Sequence, residues 1–187
     1  MIFEGVTLEG IKTPTPPFVC AAGNSIFAKD AYYAQLAGWG NRTIRHRLWN
    51  SKLSQNGSKM RFRFQAPPAS DSGFDECWVG HASGNYGFDG NQVQLFFREG
   101  DAGLYLKATE QVWSDAVVFD LDSSKDLVIS NYISGSQPGN IMSGLTDFMN
   151  TYYANGVNQA SYQNPVGYQA YSGGNRIRQL SGICISS

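Results

Sequence analysis

The chain carries little charge, and neither sign is in excess. Of its 187 residues 16% are charged, and 14 lysines and arginines stand against 15 aspartates and glutamates. A protein that binds nucleic acid or an anionic membrane through electrostatics needs a clustered positive surface. The composition therefore predicts neither a nucleic-acid partner nor a membrane partner.

The one basic cluster, residues 42–47, reads Arg-Thr-Ile-Arg-His-Arg. Its charged residues are interleaved with smaller and apolar ones, as on a β-strand that has one buried face and one solvent-facing side. We interpret the cluster as the solvent-facing side of a strand, not as a binding patch.

Long apolar runs are missing too. No segment approaches the roughly 20 residues that a membrane-spanning helix needs. The first six residues, Met-Ile-Phe-Glu-Gly-Val, have neither the basic region nor the apolar core of a signal peptide. We therefore expect a soluble chain that is not exported by a classical signal.

Cysteine is scarce as well. The three cysteines, Cys20, Cys77 and Cys184, lie far apart and show no Cys-x-x-Cys spacing, which excludes a disulfide framework and a zinc site. We expect them to be buried as small hydrophobic side chains. The alternative is an intermolecular disulfide through Cys20 or Cys184, near the chain ends, if the compartment is oxidising.

Residues with metal-ligand chemistry form no recognisable motif. The two histidines, His46 and His81, are isolated from each other and from any singled-out carboxylate. Two acidic groups have oxygen ligands for a structural calcium ion, but neither follows the order of an EF-hand loop. We interpret both groups as solvated turn carboxylates and predict no metal and no cofactor; the groups are Asp120, Asp122 and Asp126, and Asp71, Asp75 and Glu76.

Short alternating strands are what the sequence has in abundance. They are expected at residues 59–66, 74–81, 93–98, 114–121 and 126–133, separated by turns rich in Gly, Asp, Asn and Ser. Strands of this length and spacing predict an all-β fold, a β-sandwich or jelly roll. The most apolar stretches, residues 112–119 and 127–133, are expected to be central, and Trp78 and Trp113 within strands are expected in the core.

Residues 1–38 differ from the rest and are predicted to form an N-terminal arm. The Thr-Pro-Thr-Pro-Pro of residues 13–17 fixes an extended backbone outside any central sheet. Asp30 and Gly38 flank residues 31–37 as start and stop signals of a two-turn helix. The sandwich domain is then residues 39–187; its first strand is expected at 41–49, and Asn56-Gly57 predicts a tight hairpin after it.

Residues 136–176 are rich in Asn, Gln, Ser, Gly and Tyr and have hardly any charge. A stretch of this length is unusual as an idle loop. We interpret it as an exposed functional excursion or as irregular strands, of which residues 146–153 are the best candidate. The alternation in residues 177–185 predicts a last strand that closes the sheet.

Four segments, residues 88–97, 102–106, 112–119 and 125–134, resemble a known domain. The framework residues Trp113, Ser114 and Asp115, followed by Asp126 and Leu127, are similar to those of the galactose-binding-like jelly-roll domain that precedes the catalytic domain in many SGNH (GDSL-type) hydrolases. The resemblance covers about residues 61–135. It implies a jelly-roll sandwich and an ancillary role.

The catalytic half of that family has no counterpart here. Its Gly-Asp-Ser nucleophile block is approached only by Gly23-Asn24-Ser25, in which asparagine replaces the aspartate, and no histidine follows an aspartate by three residues. A serine nucleophile needs a base within hydrogen-bond reach and an orienting acid. We therefore predict that the chain is not an enzyme. An esterase-like hydrolase is kept only as a third hypothesis, behind the two non-catalytic functions given below.

Loop aromatics and amides are the candidates for a glycan site, because flat rings stack on sugar faces and loops carry function. The insertion at residues 81–90 holds Asn85, Tyr86 and Phe88, and Trp39 lies between two glycines. The arm and the tyrosine-rich stretch are the candidates for contacts between subunits. Those contact residues are Pro14, Pro16, Pro17, Phe18, Tyr152, Tyr153, Tyr162, Tyr168 and Tyr171.

Two functions follow as hypotheses. In the first, the chain is a non-catalytic accessory protein of a virion, a phage decoration, head-fibre or tail-associated subunit. It would form homo-oligomers or bind other virion proteins through its arm. Its expected location is the surface of a virion or of another extracellular particle, and the alternative location is the cytoplasm. In the second, it is a free-standing carbohydrate-binding module that binds a surface glycan.

Overall fold

The structure, a computed structural model, describes residues 25–26, 34–53, 55–145, 149–171 and 176–186. Most of the predicted arm lies outside these residues. That includes the candidate contact residues Pro14, Pro16, Pro17 and Phe18, and also Cys20. The predictions made for these five residues stay predictions.

Strands account for nearly all of the regular structure in the described residues, and the single exception is a 3₁₀ turn at Asn50–Lys52. The strands are β1 Ser25–Ile26, β2 Ala34–Leu36, β3 Arg42–Leu48, β4 Gly57–Gln65, β5 Ser72–Phe74, β6 Glu76–Ser83, β7 Gly87–Phe88, β8 Val93–Leu95, β9 Leu104–Leu106, β10 Gln111–Trp113, β11 Val117–Leu121, β12 Leu127–Ile133, β13 Ile141–Leu145, β14 Met149–Asn155, β15 Gln169–Ala170, β16 Arg176–Arg178 and β17 Leu180–Ser186.

Two larger antiparallel sheets share one hydrophobic core. The first has the order β1-β17-β4-β10, with β11 also paired to β4. The second has the order β15-β14-β3-β12-β6-β7, with β8 also paired to β6. Smaller sheets join β16, β13 and β2, and β5 with β9. The predicted all-β sandwich is confirmed.

The alternation that the sequence shows in β4 is what builds one wall of the core. Met60, Phe62 and Phe64 are fully buried, and the arginines between them are partly exposed. On the neighbouring strand β17, Ile183 lies opposite Phe62 and Ile185 lies opposite Met60. Facing side chains on adjacent strands bury apolar area together, which is the main stabilising term for such a sheet.

An aromatic cluster fills one part of this core. The ring centroids of Phe64, Phe74 and Phe97 lie 5.0 to 5.7 Å apart in edge-to-face arrangements. The opposite wall comes from the second sheet, where Ile44 of β3 and Ile129 of β12 are completely buried. Strand β12 is therefore central, as predicted.

The helix predicted for residues 31–37 is wrong where the structure describes that segment. Residues Ala34–Leu36 form β2, which pairs with β13 so that Ile141 lies opposite Leu36. A two-turn helix is marginal by itself, and ladder hydrogen bonds to a distant strand outweigh its local start and stop signals. Gly38, which follows β2, has a positive φ of 77°, a backbone conformation that glycine adopts readily.

The hairpin predicted at Asn56-Gly57 is also wrong. Strands β3 and β4 belong to different sheets, so the segment between them crosses from one sheet to the other. Asn56 instead uses its side-chain oxygen to accept hydrogen bonds from the backbone and hydroxyl of Ser123. Gly57 is needed for close approach, because a Cβ there would lie 2.4 Å from Ile185 Cγ2.

Some strands and tryptophans differ from their predicted places. Strand β11 is an edge strand and not a central one, since among the described strands it pairs with β4 alone. Trp78 and Trp113 are partly exposed and do not belong to the core. The Trp78 indole donates a hydrogen bond to Glu76, and Arg63 lies over the ring of Trp113 at 5.5 Å.

The predicted closing strand is confirmed and holds a middle position. Strand β17 lies between β1 and β4, and a positive φ at Gln179 separates it from β16. Within the described residues no helix has the length and apolar character needed to cross a membrane.

Candidate functional site

The centre of the candidate site is a buried arginine on the outer face of the second sheet. Arg45 lies in the middle of β3, opposite Ser130 of β12 and Tyr152 of β14. Its side chain is completely buried. The basic cluster at residues 42–47 is therefore not simply the solvent-facing side of a strand, because a loop and an excursion of the chain cover Arg45.

The guanidinium of Arg45 connects two segments that are distant in sequence. Its Nη1 donates to the carbonyl of Tyr86 at 2.6 Å. Its Nη2 donates to the carbonyls of Gln159, Ala160 and Tyr162 at 2.8, 3.2 and 2.6 Å. A loop at residues 83–87, the Asn85 loop, and an excursion at residues 156–168 are thus both joined to the sheet through Arg45. Thr43 on the same strand adds hydrogen bonds to Val157 and Gln159 of the excursion.

No salt bridge among the described residues includes Arg45, so carbonyl dipoles and aromatic rings compensate its charge. The guanidinium carbon lies 4.3 Å from the ring centroid of Phe88 and 5.5 Å from that of Tyr168. Burial lowers the pKa of Arg45 and raises the pKa of Tyr168. Arginine nevertheless stays protonated in proteins, so a positive charge remains beneath the loop.

Three tyrosine rings pack against one another beside this arginine and order the Asn85 loop. The Tyr86 and Tyr168 rings are nearly parallel with centroids 5.0 Å apart, and the Tyr152 ring lies 5.3 Å from Tyr86. Phe88 donates its backbone N–H to the carbonyl of Gln163 at 2.9 Å. A Cβ on Gly87 would lie 2.9 Å from that same carbonyl, so only glycine lets the two segments approach this closely.

Two of the four residues predicted to bind a glycan are buried and cannot contact one. Phe88 is completely buried beneath Arg45, and Trp39 is 6% exposed within the core. Asn85 is exposed and Tyr86 is partly exposed. The structure brings Asn85 and Tyr86 together with the excursion, because the buried cation fixes the backbone of both segments.

Two clefts adjoin at Asn85, which lines both. The larger one, the Asp126 cleft, has a volume of about 490 Å³. The smaller one, the Asn164 cleft, has a volume of about 210 Å³. The Asp126 cleft is lined by Arg47, Asn50, Ala82, Gly84, Asn85, Ser124, Lys125 and Asp126, and the Asn164 cleft by Ser83, Asn85, Tyr86, Gly87, Asn164 and Pro165.

The floor of the Asp126 cleft is an ion pair with fixed geometry. Arg47 Nε donates a hydrogen bond to one oxygen of Asp126 at 2.7 Å, and Arg47 Nη2 lies 2.7 Å from the same oxygen. The other oxygen of Asp126 accepts the backbone N–H of Asn50 at 2.7 Å. Asp122 accepts the backbone N–H and the hydroxyl of Ser124. These carboxylates have structural partners in the turn, and no group of three or more metal-ligating side chains occurs among the described residues.

A third cleft of about 410 Å³ contains His81, whose ring is held by the chain itself. His81 Nε2 accepts the backbone N–H of Asp122 at 3.0 Å, which places the proton on Nδ1, 3.7 Å from an oxygen of Asp89. The ring packs on Phe119 at 4.9 Å, and burial lowers its pKa. Since Nε2 is occupied, this histidine has no free lone pair for a general base.

His46 lies on the opposite face of β3 and belongs to the core. It is completely buried, and its Nδ1 lies 3.2 Å from the hydroxyl of Thr151. Neither histidine therefore faces an accessible serine among the described residues, and the side chain of Ser25 lies outside them.

The predicted contact tyrosines have three different environments. Tyr153 and Tyr171 pack around Trp39, with ring centroids 5.5 and 5.9 Å from it, and so cover the core. Tyr168 stacks on Tyr86, and Tyr152 contacts Tyr86 at a tilt. Tyr162 differs from these because 54% of it is exposed.

The two cysteines in the described residues differ in their oxidation state. Cys77 is a free, buried thiol whose pKa is raised by burial, in agreement with the predicted small hydrophobic side chain. Cys184 is buried and disulfide-bonded. This bond lies within one chain, so Cys184 has no thiol left for the predicted intermolecular disulfide, and it is not the free small hydrophobic side chain that was expected. Cys20 lies outside the described residues.

Sequence reasoning did not single out the residues that organise this site. Arg45, Arg47, Asp126 and Asn164 were not predicted as ligand contacts. The one available signal was an arginine in the middle of an otherwise sheet-forming segment, which is unusual at a strand centre. No protein-family model matches the chain, and a search of the curated proteins finds no match.

We expect Arg45→Met to loosen the Asn85 loop and the excursion and to lower the free energy of unfolding by about 3 kcal/mol or more. The reason is that several buried carbonyls lose their donor at once, and each buried unsatisfied group costs about 1–3 kcal/mol. Urea unfolding gives the free energy, and amide hydrogen exchange across residues 156–168 reports the local loosening.

Arg42→Met is the matched control for this change. Arg42 is on the same strand, is partly exposed and donates to the side chain of Asn155. Its guanidinium also lies 4.6 Å from the ring centroid of Trp39, so its replacement should cost about 1–2 kcal/mol, less than the change at Arg45. Equal losses in the two variants, with unchanged exchange in the excursion, would contradict the role assigned to Arg45.

A second prediction concerns the pH dependence of stability. Because burial places the pKa of His81 below its ordinary value of 6.5, the unfolded chain binds this proton more readily than the folded chain. The stability from neutral His81 is therefore present above pH 6.5 and is lost as the pH falls below it. Protonation also removes the acceptor of the Asp122 N–H.

The His81→Gln variant keeps a side-chain acceptor but does not titrate. We expect wild type to lose more unfolding free energy than this variant between pH 7.5 and pH 5.5, as measured by urea unfolding at both values. A parallel decline in the two proteins would show that His81 is not the titrating group.

Proposed function

We propose that this chain is a non-catalytic binding protein that holds a glycan in the two clefts around Asn85. The observation that carries the proposal is the shared position of Asn85, an exposed residue that lines both clefts. A ligand that spans the Asn85 loop would contact a polar cleft on each side of it.

The chemistry of the lining residues fits sugar hydroxyls. An amide both donates and accepts hydrogen bonds, as a hydroxyl does, and Asn85, Asn50 and Asn164 supply three amides to the clefts. The partly exposed ring of Tyr86 supplies an aromatic surface beside them. Amphipathic rings of this type give broad contact area at a low cost in rotamer entropy.

The site is also ordered before any ligand arrives. Arg45 fixes the backbone of Tyr86, and the ring of Tyr168 fixes the Tyr86 side chain. Binding groups that are already in place lose less conformational entropy when a ligand binds. A rigid support under an exposed loop therefore favours binding as its role.

The absence of catalysis is part of the proposal. His81 uses Nε2 to accept a backbone N–H, and His46 is enclosed in the core. Asp126, the carboxylate of the larger cleft, is engaged by Arg47 and by the backbone of Asn50. These groups support structure and recognition more readily than proton transfer.

The test is a glycan array followed by calorimetry with the best-binding oligosaccharide. We expect saturable binding that Asn85→Ala and Tyr86→Ala each weaken about tenfold, because a lost polar or stacking contact is worth about 1–2 kcal/mol. Asn91→Ala is the matched control, since Asn91 is exposed but lies outside both clefts. An array without hits would remove the proposal.

A second proposed role is that of a subunit in a larger assembly, such as a virion accessory protein. Two apolar side chains support it, since Val118 is 70% exposed on the edge strand β11 and Val166 is 72% exposed in the excursion. Exposed apolar residues on an unpaired edge are typical of surfaces that another chain covers.

We expect light scattering to give a mass of at least twice 20.5 kDa for the whole chain. Val118→Lys should shift that mass toward the monomer, because a lysine on an edge strand opposes pairing with another chain. The exposed Val157→Lys, away from the edge, is the control. A monomeric wild type at all concentrations would rule out self-assembly.

A further inference from the structure

The one carboxylate in the lining of the Asp126 cleft is already engaged by the chain itself. Asp126 accepts hydrogen bonds from Arg47 Nε and from the Asn50 backbone N–H, and Arg47 Nη2 lies 2.7 Å from the oxygen that Nε contacts. The negative charge of Asp126 is therefore compensated within the protein, and it does not call for a cationic ligand.

Donors, in contrast, remain available. The side chain of Arg47 is 27% exposed, and its pairing with Asp126 uses only Nε and one Nη2 hydrogen. The far end of the guanidinium, formed by Nη1 and the second Nη2 hydrogen, has no partner among the described residues. Those two parallel N–H groups have the spacing that matches the two oxygens of a carboxylate.

The net charge of the lining favours an anionic ligand, as the free N–H donors do. Arg47 and Lys125 contribute two positive charges and Asp126 contributes one negative charge, which leaves one positive charge in the cleft. Lys125 is 50% exposed and lies 3.5 Å from Asp89, which does not line the cleft. The lysine contact is long and exposed, so it neutralises Lys125 only in part.

We propose that the Asp126 cleft binds the carboxylate of an acidic sugar, a uronic acid residue of an oligosaccharide, with Arg47 as its bidentate partner. Lys125 adds charge, and Asn85 holds the adjoining hydroxyls. This inference rests on the proposed glycan function and specifies its ligand class.

A sugar acid fits this cleft better than a free anion does. The volume of about 490 Å³ is far larger than a lone carboxylate or phosphate needs. The lining also includes the amides of Asn50 and Asn85, which suit neutral hydroxyls, and the Asn164 cleft continues from Asn85 on its other side. One charged group among several hydroxyls is the pattern of an acidic oligosaccharide.

The test compares trigalacturonate with its methyl ester, which has the same sugars without the negative charge. Calorimetry at low salt should show the acid binding about tenfold or more tightly than the ester, because a charge-assisted bidentate contact is lost on esterification. Raising the salt concentration to about 0.5 M should weaken the binding of the acid and leave the binding of the ester unchanged, since dissolved ions screen exposed charges.

Matched variants identify the residue that is responsible. Arg47→Lys keeps the charge but loses the two-pronged geometry, and it should remove most of the preference for the acid. Arg98→Lys is the control, because Arg98 also pairs with a carboxylate, Glu110 at 2.9 Å, at a place remote from the cleft. Thermal melts verify that both variants are folded.

The outcomes separate this inference from the proposed function. Equal binding of acid and ester, or array hits among neutral glycans alone, would overturn the acidic class and leave glycan binding intact. If inorganic phosphate or acetate bound as tightly as trigalacturonate, the cleft would be a simple anion site and the sugar part would fall. No binding of either trisaccharide, with array hits elsewhere, would also overturn it.

Discussion

The surface of this protein depends on one buried cation. A guanidinium taken out of water is stable only if its charge and its N–H groups find partners, and Arg45 finds carbonyls on two segments separated by about seventy residues in sequence. The interaction therefore works in both directions, since the carbonyls solvate the cation and the cation orders the backbone that carries them.

The two faces of strand β3 show how one element can serve both core and site. Ile44 and His46 point into the sandwich, whereas Arg45 points to the opposite side and supports the Asn85 loop. The side chains that reach solvent there, Asn85 and Tyr86, are fixed in position from below. A binding surface on such a loop gains the precision of the sheet without exposing the sheet itself.

Local alternation explains which predictions succeeded. Strands β4, β12 and β17 were predicted because a period of two with large apolar side chains is a property of the segment alone. The failures concern residues whose state is set by distant parts of the chain. Phe88 and Trp39 looked like surface aromatics among glycines, yet Phe88 lies under Arg45 and Trp39 lies under Tyr153 and Tyr171. The burial of both rings depends on residues far away in sequence, so the residues next to them in the chain do not predict it.

The middle position of β17 has a consequence for the rate of folding. This strand lies between β1 and β4 in the first sheet, and Arg63 and Ser181, which contact each other across β4 and β17, are 118 residues apart in sequence. Bringing together strands so far apart costs chain entropy before the contacts between them can stabilise the fold. We therefore expect the domain to fold slowly for its size. Until β17 pairs, one edge of β4 and its apolar residues Met60 and Phe62 stay open to association with other chains.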